Sequence, residues 1–253
     1  MAPQQPHNKL IAQAARGVLR PMGLRLQGRS RIWLDDHGWW LGVVEFQPSS
    51  WSKGSYLNVG VCWLWHPGAK SGISFDLGYR VQRHVPFRNE AQFQPQARRL
   101  ADGAAEEIIR LRAMLPTITE AASLLAKRAD GNREVAVSSA GYDGWRRWHA
   151  AVALGLAGRS EAAAAMFRRI ARSDDDDDWW QPVKRQAEQL HDLVRPTRQR
   201  SERSSTAPSA TTELASTCRR SLSMSVRSDR TGRRGCQVTT TPGTSRSSPS
   251  PCR

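Results

Sequence analysis

Between residues 33 and 83 several segments alternate apolar and polar side chains, and this period of two constrains the fold more than any other feature of the chain. Residues 31–35 alternate, Asp36-His37-Gly38 has turn chemistry, and residues 39–47 (WWLGVVEFQ) read as the return strand of a hairpin. Residues 55–65 place Leu57, Val59, Val61, Trp63 and Trp65 on one face and Tyr56, Asn58, Gly60, Cys62 and Leu64 on the other, until His66-Pro67-Gly68 breaks the run. Residues 72–83 set Ile73, Phe75, Leu77, Tyr79 and Val81 against Ser74, Asp76, Gly78, Arg80 and Gln82. A period of two means one buried and one wet face. The expected architecture is an α+β fold, an antiparallel four-stranded meander. Its apolar face would be covered by an N-terminal helix over residues 7–20, with Leu10, Ala14 and Val18 on one side and Pro21 and Gly23 as its stop.

From about residue 89 the period becomes 3.6. Pro95 suits the first turn of a helix carrying Ala97, Leu100, Ala101, Ala104, Ile108, Leu111 and Leu115. Thr117-Ile118-Thr119-Glu120 has the form of a capping box, opening a helix that ends at Asp130-Gly131. Trp145, Trp148, Val152 and Leu156 make another stripe closed by Gly158, and Ser160 is expected to cap the next helix, with Ala163, Phe167 and Ile170. A last amphipathic helix follows the acidic run 174–178 with Trp179, Val183, Ala187, Leu190 and Val194, stopped by Pro196. Asp178 is a candidate cap, and negative charge suits the start of a helix better than the run suits a cation, since the ligand alternation of an EF-hand loop is missing. The chain thus divides into an α+β domain (7–88), an α-helical region (89–194) and a tail (195–253).

The tail differs in kind. Residues 195–253 contain 12 Arg, no Lys, 3 acids, 13 Ser, 10 Thr and 5 Pro, with no Phe, Trp or Tyr, so they cannot bury enough apolar area to offset the entropy of ordering. Disorder is the expectation, and a frameshifted read of a GC-rich gene would explain so abrupt a change. Most of the formal net charge of +15 lies there; residues 1–194 hold 26 basic and 20 acidic side chains, which weakens the case for nucleic acid that the overall charge makes. The four cysteines are spread out, Cys62 in a strand and Cys218, Cys236 and Cys252 in the tail, which fits a reducing compartment. The longest apolar run, residues 59–65, is too short to cross a bilayer, and the first residues lack the apolar core of a secretory signal, so a cytoplasmic location is expected.

Two resemblances add to this. The segments LRPMGLRLQGRSRIWL (19–34) and VVEFQPSSWSKGSYLNVGV (43–61), behind an amphipathic helix, resemble the bacterial domain of unknown function 4304 family over residues 10–65. Gly23, Gln47, Ser50, Asn58 and Gly60 stand at that family's short motif positions; the likeness implies a fold and a bacterial source and supplies no reaction. Residues 144–172, with LGLAGRSEAAAAMF, resemble one tetratricopeptide-type helical hairpin, which implies helix-on-helix packing.

No catalytic residue and no cofactor is assigned. Neither G-x-x-x-x-G-K-[ST] nor a strand-linked G-x-G-x-x-G occurs, LGLAG (154–158) lies in a helical hairpin, and no G-x-S-x-G is present. Asp35, Asp36, His37, His66, Asp76 and His84 fall near strand ends or turns without the spacing of a zinc motif, so no metal ligand is assigned either. The aromatic residues carry more information: six of ten Trp fall within 33–65. Trp39 and Trp40, being adjacent, should point to opposite faces, and Trp51 sits in a Ser-rich loop beside Lys53. The leading expectation is therefore a non-catalytic interaction module that contacts a protein or small ligand through loop 48–54 and the wet sheet face, with Trp51, Gln47, Ser50 and Asn58 as binding residues. The alternatives are a nucleic-acid-binding protein with a basic sheet face (Arg25, Arg29, Arg31, Lys53, Lys70, Arg80, Arg83, Arg88, and on the first long helix Arg98, Arg99, Arg110 and Arg112) and an enzyme of unrecognised type. His66 or His84 set against Asp35, Asp36 or Asp76 in a polar cleft would favour the enzyme.

Overall fold

In the computed structural model residues 5–67, 72–131, 143–174 and 177–194 are described; the expectations for the tail and for Lys70 lie outside them. The elements are α1 (Pro6–Leu19), β1 (Arg25–Leu26), β2 (Ile32–Asp36), β3 (Trp40–Glu45), β4 (Gly54–Trp63), β5 (Leu77–Pro86), α2 (Glu90–Met114), α3 (Ile118–Ala129), α4 (Asp143–Leu156), α5 (Ser160–Ala171) and α6 (Gln181–Val194). The strands form one antiparallel meander in the order β1-β2-β3-β4-β5, so the α+β class holds. There are five strands where four were expected. β1 is a two-residue pairing, Arg25 with Leu34 and Leu26 with Trp33, too short to register as alternation.

The face that alternation assigned to the core is buried: Trp33, Trp40, Val44, Val59, Val61, Trp63 and Leu77 all belong to the main apolar cluster. Its principal cover is α2, which lies against β3, β4 and β5, while α1 packs chiefly on α2. This corrects the expectation of an N-terminal helical lid. The reason is shape: α2 presents Ala97, Ala101 and Ala104 among its larger buried residues, and small side chains let a long helix approach a sheet closely. At Gly42, Ile108 Cδ1 stands 3.0 Å from where a Cβ would be. On α1 the fully buried stripe is Ile11, Ala15 and Leu19, one position beyond the expected one, whose members are half-buried. The sheet, α2 and the later helices share this single apolar cluster across the expected division at residues 88–89.

The opposite face is not uniformly wet. β5 begins at Leu77, and residues 72–76 do not continue it. Ile73 and Phe75, expected on the core face, instead pack over Ile32, Leu34, Leu41, Val43 and Cys62 on the other side. The switch has a local cause. The Asp76 carboxylate accepts the Trp63 amide at 2.7 Å and the Ser74 hydroxyl at 2.9 Å, so a side chain takes a place that a further β4–β5 backbone pair, beyond Val61 with Leu77, would have held. Phe75 then lies over Gly60, its Cδ1 2.9 Å from the position of a Cβ there, and Gly60 pairs with Gly78. Further along, register shifts between Ser55 and Leu57 and between Leu57 and Asn58 break the clean alternation expected of residues 72–83.

The helices follow their caps. Thr117 accepts the Glu120 amide at 3.3 Å, the expected cap, and donates its hydroxyl to Glu120 Oε2 at 2.7 Å, so Glu120 meets the side chain of Thr117 where a full capping box would reach its backbone amide. α2 instead starts earlier than Pro95: Asn89 caps it, accepting the Gln92 amide at 2.9 Å, and Pro95 lies inside. Ser160 is the first residue of α5 rather than its cap. Gly158, at φ 76°, ends α4, with the Arg159 amide donating to the Leu154 carbonyl at 2.9 Å. Trp179 and Trp180 precede α6 in a turn; Trp180 is buried and Trp179 is exposed, the reverse of the expected stripe. Neighbouring helices from α3 to α6 pack pairwise in chain order.

Candidate functional site

Two places on this frame gather polar side chains without serving the core alone. The first is the polar half of the outer sheet face. In-register pairing puts Asn58 of β4 beside Glu45 of β3 and Arg80 of β5. Asn58 Nδ2 donates to Glu45 Oε2 at 2.8 Å and to Gln47 Oε1 at 2.9 Å, while Arg80 donates to Asn58 Oδ1 at 3.3 Å and to Gln47 Oε1 at 2.9 Å. The Arg80 guanidinium also lies 4.2 Å above the Tyr56 ring, which is 5.1 Å from His84, and His84 Nε2 is 3.3 Å from Ser52 Oγ. This chain of contacts runs from the sheet into loop 48–54. Ser50 and Trp51 lie in that loop, both exposed, Trp51 to 94%. Of the four expected binding residues, Gln47 and Asn58 are thus bonded to each other and half-buried, whereas Ser50 and Trp51 stand free of that network at the loop tip.

The second place lies where the β4 end, the segment before β5 and α4 meet. Asp76 Oδ1 stands 2.9 Å from His66 Nδ1 and 3.7 Å from His149 Nε2. The side chains of Asp76 and His149 are 4% and 5% exposed, that of His66 15%. Trp65 Nε1–H donates to His149 Nδ1 at 3.2 Å, and Trp145, four residues before His149 on α4, stacks on His66 at 4.5 Å. Burial pushes the His149 pKa down to about 4, so this imidazole is neutral at pH 7. Burial alone would raise the Asp76 carboxyl, but the two imidazoles and the Trp63 amide outweigh it and hold it below the usual carboxylate range. His66 was one of the sequence candidates and Asp76 its named partner. His149 was missed: its only signal is its spacing from Trp145, which puts both on one helical face beside an apolar stripe.

A third His–Asp contact is structural. Asp35, on the core face of β2, receives two hydrogen bonds from Arg112 of α2 at 2.9 and 2.7 Å, and Arg112 also donates to the Met22 carbonyl at 2.8 Å. His37 Nε2 reaches Asp35 at 2.7 Å while stacking on Trp40 at 4.1 Å. Burial opposes charge on Asp35, yet the Arg112 and His37 contacts hold its pKa below the ordinary value. Trp39 departs from its expectation: it lies in the turn before β3, outside the reach of strand alternation, and stacks on Trp63 and Trp65 of the core side at 6.0 Å from each.

Part of the expected basic surface is engaged in pairs. Arg98 pairs with Asp102, Arg110 with Glu107 and Arg112 with Asp35, each within 3 Å, and Arg80 is held by Gln47 and Asn58. Among the described residues no helix is long and apolar enough to cross a membrane. No family model, no curated protein and no solved structure matches the chain.

Proposed function

We propose that the protein is a cytoplasmic, non-catalytic interaction module that engages a protein or small ligand through loop 48–54 and the polar half of the outer sheet face. The observation that carries this reading is Trp51, 94% exposed at the tip of a loop whose base is braced by a bonded polar network. Leaving an indole in water forgoes about 4 kcal/mol of burial, so its placement favours a role in recognition, where aromatic anchors dominate binding energy. The network supplies the other half of the requirement. Gln47, Asn58 and Arg80 are fixed by one another, so a partner would meet a surface already organised. The family that residues 10–65 resemble belongs to the same proposal as their origin.

The test is capture of partners by the full-length protein from nuclease-treated lysate, wild type against Trp51→Ala. The expected result is a partner that survives nuclease and is lost with Trp51→Ala, at an unchanged melting temperature. Capture abolished by nuclease would transfer the assignment to nucleic acid, and capture indifferent to Trp51 would overturn the use of this loop.

A further inference from the structure

We propose that His66, Asp76 and His149 form a three-ligand site for a borderline divalent metal ion, for which zinc is the probe of choice. The ligand atoms come from three separate stretches of chain and all lie within 4.8 Å of one another. Tetrahedral coordination with bonds of about 2.0–2.1 Å separates donor atoms by roughly 3.3 Å. The two edges at Asp76 Oδ1, 2.9 and 3.7 Å, fall on either side of that spacing. His66 Nδ1 is buried, and the carboxylate oxygen 2.9 Å away is its near polar neighbour.

The surroundings suit the role. Asp76 spends Oδ2 on the Trp63 amide and the Ser74 hydroxyl, which leaves Oδ1 as a single, oriented ligand atom. Trp63 and Trp145 lie beside the imidazoles, at 6.3 Å from His149 and 4.5 Å from His66, and limit water on that side. Two imidazoles and one carboxylate make a donor set that favours zinc, cobalt or ferrous iron over magnesium or calcium. Three protein ligands leave a fourth position for water or a ligand.

One contact opposes the ion and yields a readout. Trp65 Nε1–H donates to His149 Nδ1, which in the metal-free protein leaves the imidazole proton on Nε2. Coordination at Nε2 moves that proton, through solvent, to Nδ1, and the Trp65 hydrogen bond breaks. No redox change is involved, and no net proton is released by His149. A single 3.2 Å hydrogen bond is given up for coordination by three residues.

The experiment uses the full-length protein carrying Cys218→Ser, Cys236→Ser and Cys252→Ser, so that tail thiols cannot compete for the ion. After chelator treatment, zinc is titrated calorimetrically and cobalt by its visible spectrum. The expected result is one equivalent bound at micromolar affinity or tighter, a rise in melting temperature, and a shift of the Trp65 indole N–H resonance. His66→Gln, at the most exposed of the three ligands, should weaken binding at least tenfold while the metal-free protein stays folded; Asp76→Asn is the companion variant. Absence of stoichiometric binding by the parent, or binding that His66→Gln leaves unchanged in the folded protein, overturns the proposal. Trp51→Ala should leave metal binding unaltered, so this site and the interaction surface stand or fall separately.

Discussion

Gly78 shows how much a single position decides. Its backbone stands at φ 155°, and a Cβ would come within 2.4 Å of the Gly60 Cα and 2.5 Å of the Val59 carbonyl. Neither obstacle is a movable side-chain end, so Gly78→Ala should destabilise by about 3 kcal/mol, read as a lower urea midpoint. Asp35 makes a prediction in pH. Its folded pKa lies below the unfolded value, so its contribution is full above the ordinary carboxylate pKa and is lost as pH falls through the folded value. Stability measured from pH 6 to pH 2 should therefore fall less steeply in Asp35→Asn than in wild type, and equal slopes would show that the Arg112 pair contributes no such linkage. At this scale the sequence was partly legible. Gln47 and Asn58 stood out as polar residues at strand ends, and they do meet. His149 did not stand out, because nothing near it in the chain hints that α4 brings it to Asp76.

At the scale of elements, the 3.6 period locates the helices, whereas of the expected starts only Thr117 is the cap it was expected to be; Ser160 is the first residue of α5 and Asn89 caps α2. Thr117 caps α3 as expected, and Thr117→Ala should cost about 1 kcal/mol by thermal or chemical denaturation. Asn89→Ala should cost a similar amount, because Asn89 rather than the region of Pro95 starts α2. Pro95 misled because its preference for a first turn is a tendency, whereas the Asn89 side chain satisfies an amide outright. The turnover at residues 72–76 was hidden for a different reason. Ile73 and Phe75 keep the period of the following strand, and only the capture of the Trp63 amide by Asp76 reveals that the ladder has stopped. Phe75→Ala should uncover Gly60 and Cys62, raising the rate at which a thiol reagent modifies Cys62 relative to wild type.

At the scale of the molecule, the chain order of the elements conceals which helix covers the sheet. α1 comes first in the chain, but α2 holds the face of β3, β4 and β5, and Ile108 sits fully buried over Gly42. Burial against a strand with no side chain of its own leaves little to collapse into the space, so Ile108→Ala should cost about 3–4 kcal/mol. With one face covered by α2 and part of the other by Ile73 and Phe75, the polar part of the outer face and loop 48–54 are what the sheet leaves for the proposed interaction. Hydroxyl-radical footprinting of the full-length protein, resolved to single residues, tests this arrangement most directly. Trp51 should be oxidised fastest of the ten tryptophans in the absence of partner, with Trp40, Trp63, Trp148 and Trp180 protected. Protection of Trp51 to the level of those four, or rapid oxidation of Trp40 and Trp63, would contradict it.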